Sequence, residues 1–229
     1  MKLKNPFRDL SEFELRLWQI SLGVIAGSFL LSRGGDILTL IASLIGVTAL
    51  IFVAKGYVLG QVLTVVFAVF YGIISFWFRY YGEMITYLGM TAPIAACAVI
   101  SWLRHPYKET KEVEVHRLKR GQIFALILAA VATTIAFYYI LRFLGNANLL
   151  LSTISVTTSF LASALTFFRS PYYALAYAAN DLVLIGLWVL ASMESISYLP
   201  MVFCFVMFFV NDMYGFFNWR NMQKRQEQL

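Results

Sequence analysis

Charged residues are scarce in this chain of 229 residues, since only 13% are Asp, Glu, Lys or Arg, whereas 60% are hydrophobic. Soluble domains carry about 25% charged residues, so most of this chain is expected to lie in lipid. Cysteine and histidine are also scarce, with two residues of each. Cys97 and Cys204 lack a CxxC spacing, and His105 and His116 lie in a polar loop. These shortages argue against a haem or metal site held by His or Cys, and no cofactor is expected.

Sequence motifs of soluble enzymes are missing too. The chain contains no Walker-type Gly-rich loop, no GxSxG and no HExxH, the patterns that bind phosphates, expose a reactive serine or bind zinc. No polar segment is long enough to form a nucleotide-binding domain. We therefore expect neither an enzyme nor direct use of ATP by this chain.

The chain does contain long apolar stretches, each able to cross a hydrocarbon layer of about 30 Å as a helix. The first stretch is short and has Arg16 and Trp18 at its start, an arrangement that an interfacial helix would also show. Acidic residues precede it and no cleavage pattern follows it, so we expect it to be retained rather than removed as a signal peptide. Eight membrane helices are predicted, at 15–32, 37–55, 57–78, 81–103, 121–143, 147–168, 171–191 and 197–219.

The distribution of basic residues predicts the orientation, because short loops rich in Lys and Arg stay on the cytoplasmic side. With the amino terminus inside and eight crossings, all 18 Lys and Arg residues except Arg33, Arg79 and Arg142 fall inside. Both termini are therefore expected in the cytoplasm. The net charge of +6 follows from this bias, and no nucleic acid partner is expected.

Two blocks of three helices resemble each other at an offset of about 114 residues, with Lys55-Gly56-Tyr57 set against Arg169-Ser170-Pro171. Three helices reverse the direction of the chain, so the lone helix between the blocks restores it and makes the repeats parallel. We predict an all-α integral membrane protein, a 3+1+3 parallel-repeat helical bundle with an extra N-terminal helix. Its segments are an N-terminal part (1–36), a first repeat (37–104), a loop and linker helix (105–146), a second repeat (147–220) and a tail (221–229).

Two Asn-Asp pairs, Asn180-Asp181 and Asn211-Asp212, lie within the apolar stretches. Ionisable groups within a membrane are costly, and they usually face a partner or a watery path for a substrate. The pairs therefore predict a membrane transporter. Helical spacing places Tyr177, Asp181 and Trp188 on one face. In the last helix it aligns Asn211, Tyr214 and Asn218 on one stripe and Asp212, Gly215 and Trp219 on the next.

Carboxylate, amide and aromatic groups together suit a polar ligand with a flat ring, such as a nucleoside or a vitamin. The alternative is that the same polar groups only join helices. Pro93 is expected to bend the third helix of the first repeat, and Glu83 is expected to be solvated near a helix end. The predicted substrate-binding residues are Tyr87, Thr91, Tyr177, Asn180, Asp181, Trp188, Asn211, Asp212 and Tyr214, and no metal ligand is predicted.

Four segments, in this order and spacing, resemble the PnuC family of bacterial nicotinamide riboside transporters. They are Tyr81-Gly82-Glu83-Met84-Ile85 with Pro93 and Trp102; the basic loop leading to Glu112-Val113-Glu114-Val115; Ser170-Pro171-Tyr172-Tyr173 with Ala178-Ala179-Asn180-Asp181; and Asn211-Asp212-Met213-Tyr214-Gly215 leading to Trp219.

The resemblance implies a 3+1+3 fold similar to that of SWEET sugar transporters, but with an arrangement of its own. It also implies facilitated diffusion of an unphosphorylated riboside through the bacterial inner membrane, with trapping by a cytoplasmic riboside kinase. A homotrimer is also implied. Family members are thought to carry thiamine, riboflavin or other nucleosides, so the substrate is not settled by membership. This chain has Ala95 and Ala96 where many relatives have Gln or Asn, which puts a contact to the pyridine amide in doubt.

Overall fold

A computed structural model describes residues 5–32, 36–77, 81–146 and 148–228. Within these ranges eight helices are long and apolar enough to cross a membrane, which confirms the eight predicted spans. The helices are α1 Glu12–Leu31, α2 Ile37–Ala54, α3 Val58–Trp77, α4 Tyr81–Thr86, α5 Ala92–Arg104, α6 Arg120–Phe143, α7 Leu149–Phe167, α8 Tyr173–Glu194 and α9 Leu199–Glu227.

Polar residues mark the start of the first two helices. Ser11 caps α1 with its hydroxyl group, while the Glu14 side chain accepts from the Ser11 backbone N–H in return. The Asp36 carboxylate accepts from the Thr39 N–H at 3.0 Å at the start of α2. Such caps satisfy backbone donors that have no partner within the helix.

The fourth span is α4 and α5 together, joined by a π-helical turn at Tyr87–Thr91. Pro93 follows this turn and has no backbone N–H to offer. The chain widens before it, with the Ala92 N–H donating to the Tyr87 carbonyl five residues earlier. A π-helical turn therefore precedes Pro93, where a bend was expected, and such turns often occur at functional sites.

Two helical triplets form the body of the protein: α2, α3 and α4–α5 make the first triplet, and α7, α8 and α9 make the second. The triplets meet where α2 packs on α9 and where α5 packs on α7. Helix α6 lies at the periphery against α7, and only Leu126, Ala130 and Leu141 of it are buried. Helix α1 packs on α2 and α9, outside the two triplets.

Corresponding turns end the first helix of each triplet. After α2, Gly56 adopts a left-handed conformation with φ 70°, and after α7 Arg169 does so with φ 58°. The same hydrogen bonds close both turns, from Tyr57 N–H to the Phe52 carbonyl and from Ser170 N–H to the Leu165 carbonyl, each at 3.0 Å. The structure thus pairs Gly56 with Arg169, one residue away from the sequence match of Lys55 with Arg169.

The segment 112–116, which we call the strap, crosses these two turns. The Val113 N–H donates to the Gly56 carbonyl at 2.9 Å, and the His116 N–H donates to the Arg169 carbonyl at 3.0 Å. The Arg169 side chain donates to the Glu114 carbonyl at 3.0 Å, and burial lowers the pKa of its guanidinium. We call the face that carries the strap the loop face, and the other the opposite face.

Helix α9 continues past residue 220, where the sequence places the start of a tail. Its last turns lie along the strap, since the Gln226 side chain accepts from the Val115 N–H at 2.8 Å and donates to the Val113 carbonyl at 3.1 Å. Arg225 pairs with Glu112, and Glu227 pairs with Arg117. These contacts with the strap explain why the polar end of the chain stays helical.

Candidate functional site

A central cavity lies at the interface of the two triplets, with about 680 Å³ of space between atoms, part of which is open to solvent. Both triplets contribute lining residues, which is the arrangement expected when a substrate site lies between repeats. The lining comprises Gly46, Ala49, Leu50, Val53, Gln61, Thr64, Phe67, Tyr87, Thr91, Ser159, Tyr177, Asn180, Asp181, Phe205, Phe208 and Asp212. Six of the predicted residues meet here: Tyr87, Thr91, Tyr177, Asn180, Asp181 and Asp212.

Two carboxyl groups face each other in the central cavity. Asp181 of α8 and Asp212 of α9 are each 3% exposed, and their side chains lie within hydrogen-bonding reach of each other. The second oxygen of Asp181, Oδ2, is buried and has no partner within the protein. A buried acceptor of this kind is costly unless a ligand or water satisfies it, so Asp181 is a strong candidate for a contact with substrate.

Hydroxyl groups of α7 orient two further side chains of α8. The Asn180 amide oxygen accepts from Ser155 at 3.0 Å and from Thr158 at 2.9 Å. This arrangement leaves the amide nitrogen, a donor, for a ligand. The Tyr177 hydroxyl group lies 3.2 Å from the Ser163 hydroxyl group. Helix α8 thus presents an amide group and a hydroxyl group to the cavity from positions three residues apart.

Aromatic rings form the wall that faces these polar groups. The Tyr87 ring lies 5.9 Å from the Phe67 ring, measured between centroids, and Phe67 lies 5.9 Å from Phe208, both with an edge directed at a face. Aromatic faces stack on flat ligands and attract cations. Phe67, Phe205 and Phe208 were not predicted as site residues, because Phe is abundant throughout the apolar stretches.

A glycine in α2 allows this aromatic wall to pack closely. A Cβ atom at Gly46 would lie 2.6 Å from the tip of the Phe208 ring and 3.1 Å from the Phe67 ring. Distances this short require the rings to move. Gly46 therefore helps to set the position of both rings and with it the width of the cavity.

Asn211 and Tyr214, predicted as site residues, do not line the central cavity. The Asn211 amide donates to the Ser21 hydroxyl group of α1 at 2.9 Å, and the Tyr214 hydroxyl donates to the Glu14 carboxylate at 2.8 Å. Lys55 makes an ion pair with the same carboxylate at 2.9 Å. Both residues hold α1 against the body, the helix-joining alternative considered from sequence.

Trp188 also lies away from the central cavity. It is seven residues after Asp181, about 10 Å further along α8, and it lines a separate cavity at the opposite face. Glu83 lines the same cavity. It is partly buried, with the Tyr71 and Ser75 hydroxyl groups within hydrogen-bonding reach, in contrast to the solvated position expected from sequence.

Neither of the two alanines that set this chain apart from the family pattern reaches the central cavity. Ala95 is buried between helices, whereas Ala96 is exposed on the surface of α5. The side-chain amides at the cavity belong to Gln61 and Asn180. Ala95 and Ala96 therefore have less bearing on the site than the sequence pattern indicates.

Comparisons with known proteins agree with this architecture. A family model described as nicotinamide mononucleotide transporter matches residues 36–221. The nicotinamide riboside transporter PnuC of Neisseria mucosa is 26% identical over an alignment of 227 residues that covers 97% of this chain and 86% of that protein. The crystal structure of the vitamin B3 transporter PnuC superposes with a TM-score of 0.80 at 26% identity, over 95% of this chain and 94% of that one. The chain therefore belongs to the PnuC family, the family of nicotinamide mononucleotide transporters, as its sequence motifs predict.

Proposed function

We propose that this protein carries nicotinamide riboside across the bacterial inner membrane by facilitated diffusion. The observation that carries the proposal is the central cavity, where Asp181, with a carboxylate oxygen that has no protein partner, lies near the Tyr87 ring. The Neisseria relative is described as a nicotinamide riboside transporter, and the alignment with this chain covers 86% of that relative.

The cavity complements each part of the riboside. The pyridinium ring is flat and carries a fixed positive charge, so it is attracted both by carboxylates and by aromatic faces. Its carboxamide and the ribose hydroxyl groups need donors and acceptors, which Gln61, Asn180 and Thr91 supply at the lining. Asp181 and Asp212 favour a cation over a neutral nucleoside.

The same charges disfavour a phosphorylated substrate, although the family description names the mononucleotide. A phosphate group adds roughly two negative charges. The described lining residues include two aspartates and no Lys or Arg to neutralise a phosphate. The riboside is therefore favoured over its mononucleotide, and a cytoplasmic kinase that adds the phosphate would trap it inside.

The loop face is assigned to the cytoplasm because the strap and its flanks carry most of the basic loop residues. Both described ends of the chain lie at this face. The riboside would then enter from the opposite face and leave beside the strap. A homotrimer, implied by the family resemblance, stays a prediction.

Uptake into proteoliposomes that contain only this protein tests the proposal. Facilitated diffusion predicts saturable uptake of labelled nicotinamide riboside that stops at equal concentrations inside and outside. A proton or sodium ionophore should leave this end point unchanged. Uptake no faster than in protein-free liposomes would instead support a membrane scaffold or sensor.

A second mechanism, proton-coupled symport, is favoured by one observation. The Asp181 and Asp212 side chains lie within hydrogen-bonding reach of each other, and a hydrogen bond between two carboxyl groups requires a proton on one of them. If that proton is released during transport, the movement of the riboside across the membrane is coupled to the movement of a proton. Accumulation of unmodified riboside above the outside concentration, abolished by a proton ionophore, would establish this mechanism in place of facilitated diffusion.

A further inference from the structure

A second, larger cavity opens at the opposite face, with about 1090 Å³ of space that includes its open mouth. We call it the vestibule. It is bounded by the start of α4, the turn after α6, the end of α8 and the segment Ile196–Tyr198. Its lining comprises Gly82, Glu83, Leu144, Gly145, Asn146, Asn148, Ser152, Leu187, Trp188, Leu190, Ala191, Glu194 and Tyr198.

The vestibule presents the same kinds of groups as the central cavity. Glu83 and Glu194 supply carboxylates, and no Lys or Arg is among its described lining residues; Arg142, at the end of α6, is exposed outside the lining. The Trp188 and Tyr198 rings lie 5.8 Å apart between centroids. Carboxylates beside aromatic rings form a suitable site for a flat organic cation.

Trp188 provides an independent indication of a ligand. It is only 9% exposed, and its indole Nε1 is buried without a hydrogen-bond partner in the protein. A buried indole N–H usually has an acceptor. A ribose oxygen or a carboxamide oxygen of a bound molecule would supply one.

A smaller cavity, with about 420 Å³ of space that includes open solvent, lies between the vestibule and the central cavity. It shares Glu83 and Asn146 with the vestibule and shares Tyr87 and Ser159 with the central cavity. Glu83 and Tyr87 are four residues apart, so one helical segment passes all three spaces. The three spaces are therefore adjacent, and Tyr87, which borders the smaller cavity, also lines the central cavity with Asp181.

We propose that the vestibule is a second, outer binding site for the riboside, which holds the pyridinium ring near Trp188 and the carboxylates of Glu83 and Glu194 before the molecule reaches the central cavity. This inference rests on the proposed function, since it assumes the same cationic substrate. The outer site raises the local concentration of a cation at the start of the path. Trp188, placed outside the central cavity, thereby contacts substrate at a different point.

Cysteine protection in the full-length protein, reconstituted in nanodiscs, tests the outer site. Ala191 lines the vestibule, and Ala191→Cys in a Cys97→Ser background is labelled with a cationic methanethiosulfonate reagent. The same background without Ala191→Cys corrects for the buried Cys204. Ser195→Cys, at the same helix end but outside the lining, is the matched control. Added nicotinamide riboside should slow labelling at position 191 and not at 195.

The midpoint, which is the riboside concentration that gives half of the maximal protection at position 191, identifies the site that is occupied. Asp181→Asn should leave the midpoint within about twofold, whereas Trp188→Ala should raise it at least about fivefold because the stacking surface is lost. Trp188→Phe keeps a ring without the N–H and serves where Trp188→Ala fails to fold. Glu194→Gln should raise the midpoint roughly two- to fivefold, with a smaller effect at high salt.

If Asp181→Asn raises the midpoint and the Trp188 variants leave it unchanged, the outer site is overturned, because protection then comes from the central cavity. Absence of protection in a protein that still takes up the riboside would overturn it as well. Labelling reports on the vestibule whether or not uptake occurs. Loss of riboside uptake with protection retained would therefore overturn the proposed transport and leave the outer site standing.

Discussion

The indole rings of Trp102 and Trp219 pack together at the loop face with their centroids 5.4 Å apart. Each indole also bonds to the opposite triplet: the Trp102 N–H donates to the Thr166 carbonyl at 2.9 Å, and the Trp219 N–H donates to the Val53 carbonyl at 2.8 Å. Both accepting carbonyls lie in the last turn of the first helix of a triplet. The exchange is reciprocal, as a duplicated structure predicts.

Trp102→Phe and Trp219→Phe should therefore lower stability by similar amounts. Each substitution keeps a ring but removes one donor from a buried carbonyl, which still accepts from the backbone N–H of Gly56 or Arg169. The lost hydrogen bond should cost about 0.5–1.5 kcal/mol. Thermal unfolding of the purified variants in detergent measures the loss. If one variant unfolds like the wild type while the other is clearly destabilised, the two contacts are not equivalent.

The fold follows from sequence to a large extent, because lipid requires long helices and apolar windows reveal them. The π-helical turn at Tyr87–Thr91 could not be foreseen in detail. Pro93 indicates only that the helix must adjust, and neighbouring packing decides how. The pairing of Gly56 with Arg169 was also missed by one residue, because glycine and arginine share no side-chain property and only the backbone conformation matches.

Only part of the site could be predicted from sequence, and the reason is similar. Helical spacing shows which residues share a face, as with Asp181 and Tyr177, but not which neighbour that face meets. Helix α9 is buried on two sides, so Asp212 faces the central cavity while Asn211 and Tyr214 face α1. Their different surroundings depend on the position of α1.

Substrate binding should depend on the Asp181 carboxylate. Asp181→Asn keeps the shape of the side chain but removes the charge that attracts a pyridinium, so affinity should fall by about 1–3 kcal/mol, roughly 5- to 150-fold. Calorimetry on monodisperse protein measures this change. Glu12→Gln, at an exposed carboxylate of α1, is the control and should bind normally. Unchanged affinity in Asp181→Asn would make the residue structural.

Tyr214→Phe should change stability rather than affinity. The variant removes the hydroxyl group that donates to Glu14 at 2.8 Å, which should cost about 1 kcal/mol of unfolding free energy. Riboside affinity should stay within about twofold, since Tyr214 lies outside the central cavity. Tyr139→Phe, at a residue that is 63% exposed, provides the matched control. A large loss of affinity at normal stability would return Tyr214 to the substrate site.

Gly46→Ala should narrow the central cavity. The added methyl group would push the Phe208 and Phe67 rings, with an overpacking cost of about 1–3 kcal/mol that appears as weaker binding, lower stability or both. Gly186→Ala in α8 is the control, because nothing lies within 4 Å of its Cβ position. Binding and thermal unfolding measured on both variants separate the two effects. If the two variants have the same affinity and the same stability, the Phe208 and Phe67 rings can move aside without cost.

The order of ligand affinities tests the charge of the site most directly. Nicotinamide riboside has a fixed positive charge and a flat ring, so Asp181, Asp212 and the aromatic wall should bind it more tightly than neutral ribo- or deoxyribonucleosides. Nicotinamide mononucleotide should bind much more weakly, because its phosphate adds roughly two negative charges beside two aspartates. Thiamine shares a cationic ring but has no ribose, so it separates the part played by charge from that of the sugar, while riboflavin tests size. A calorimetric panel of these compounds gives the order. Tight binding of the mononucleotide would contradict the electrostatic argument. Preference for a neutral deoxyribonucleoside would show that the aspartates only hold the helices together. Another part of the lining would then select the substrate.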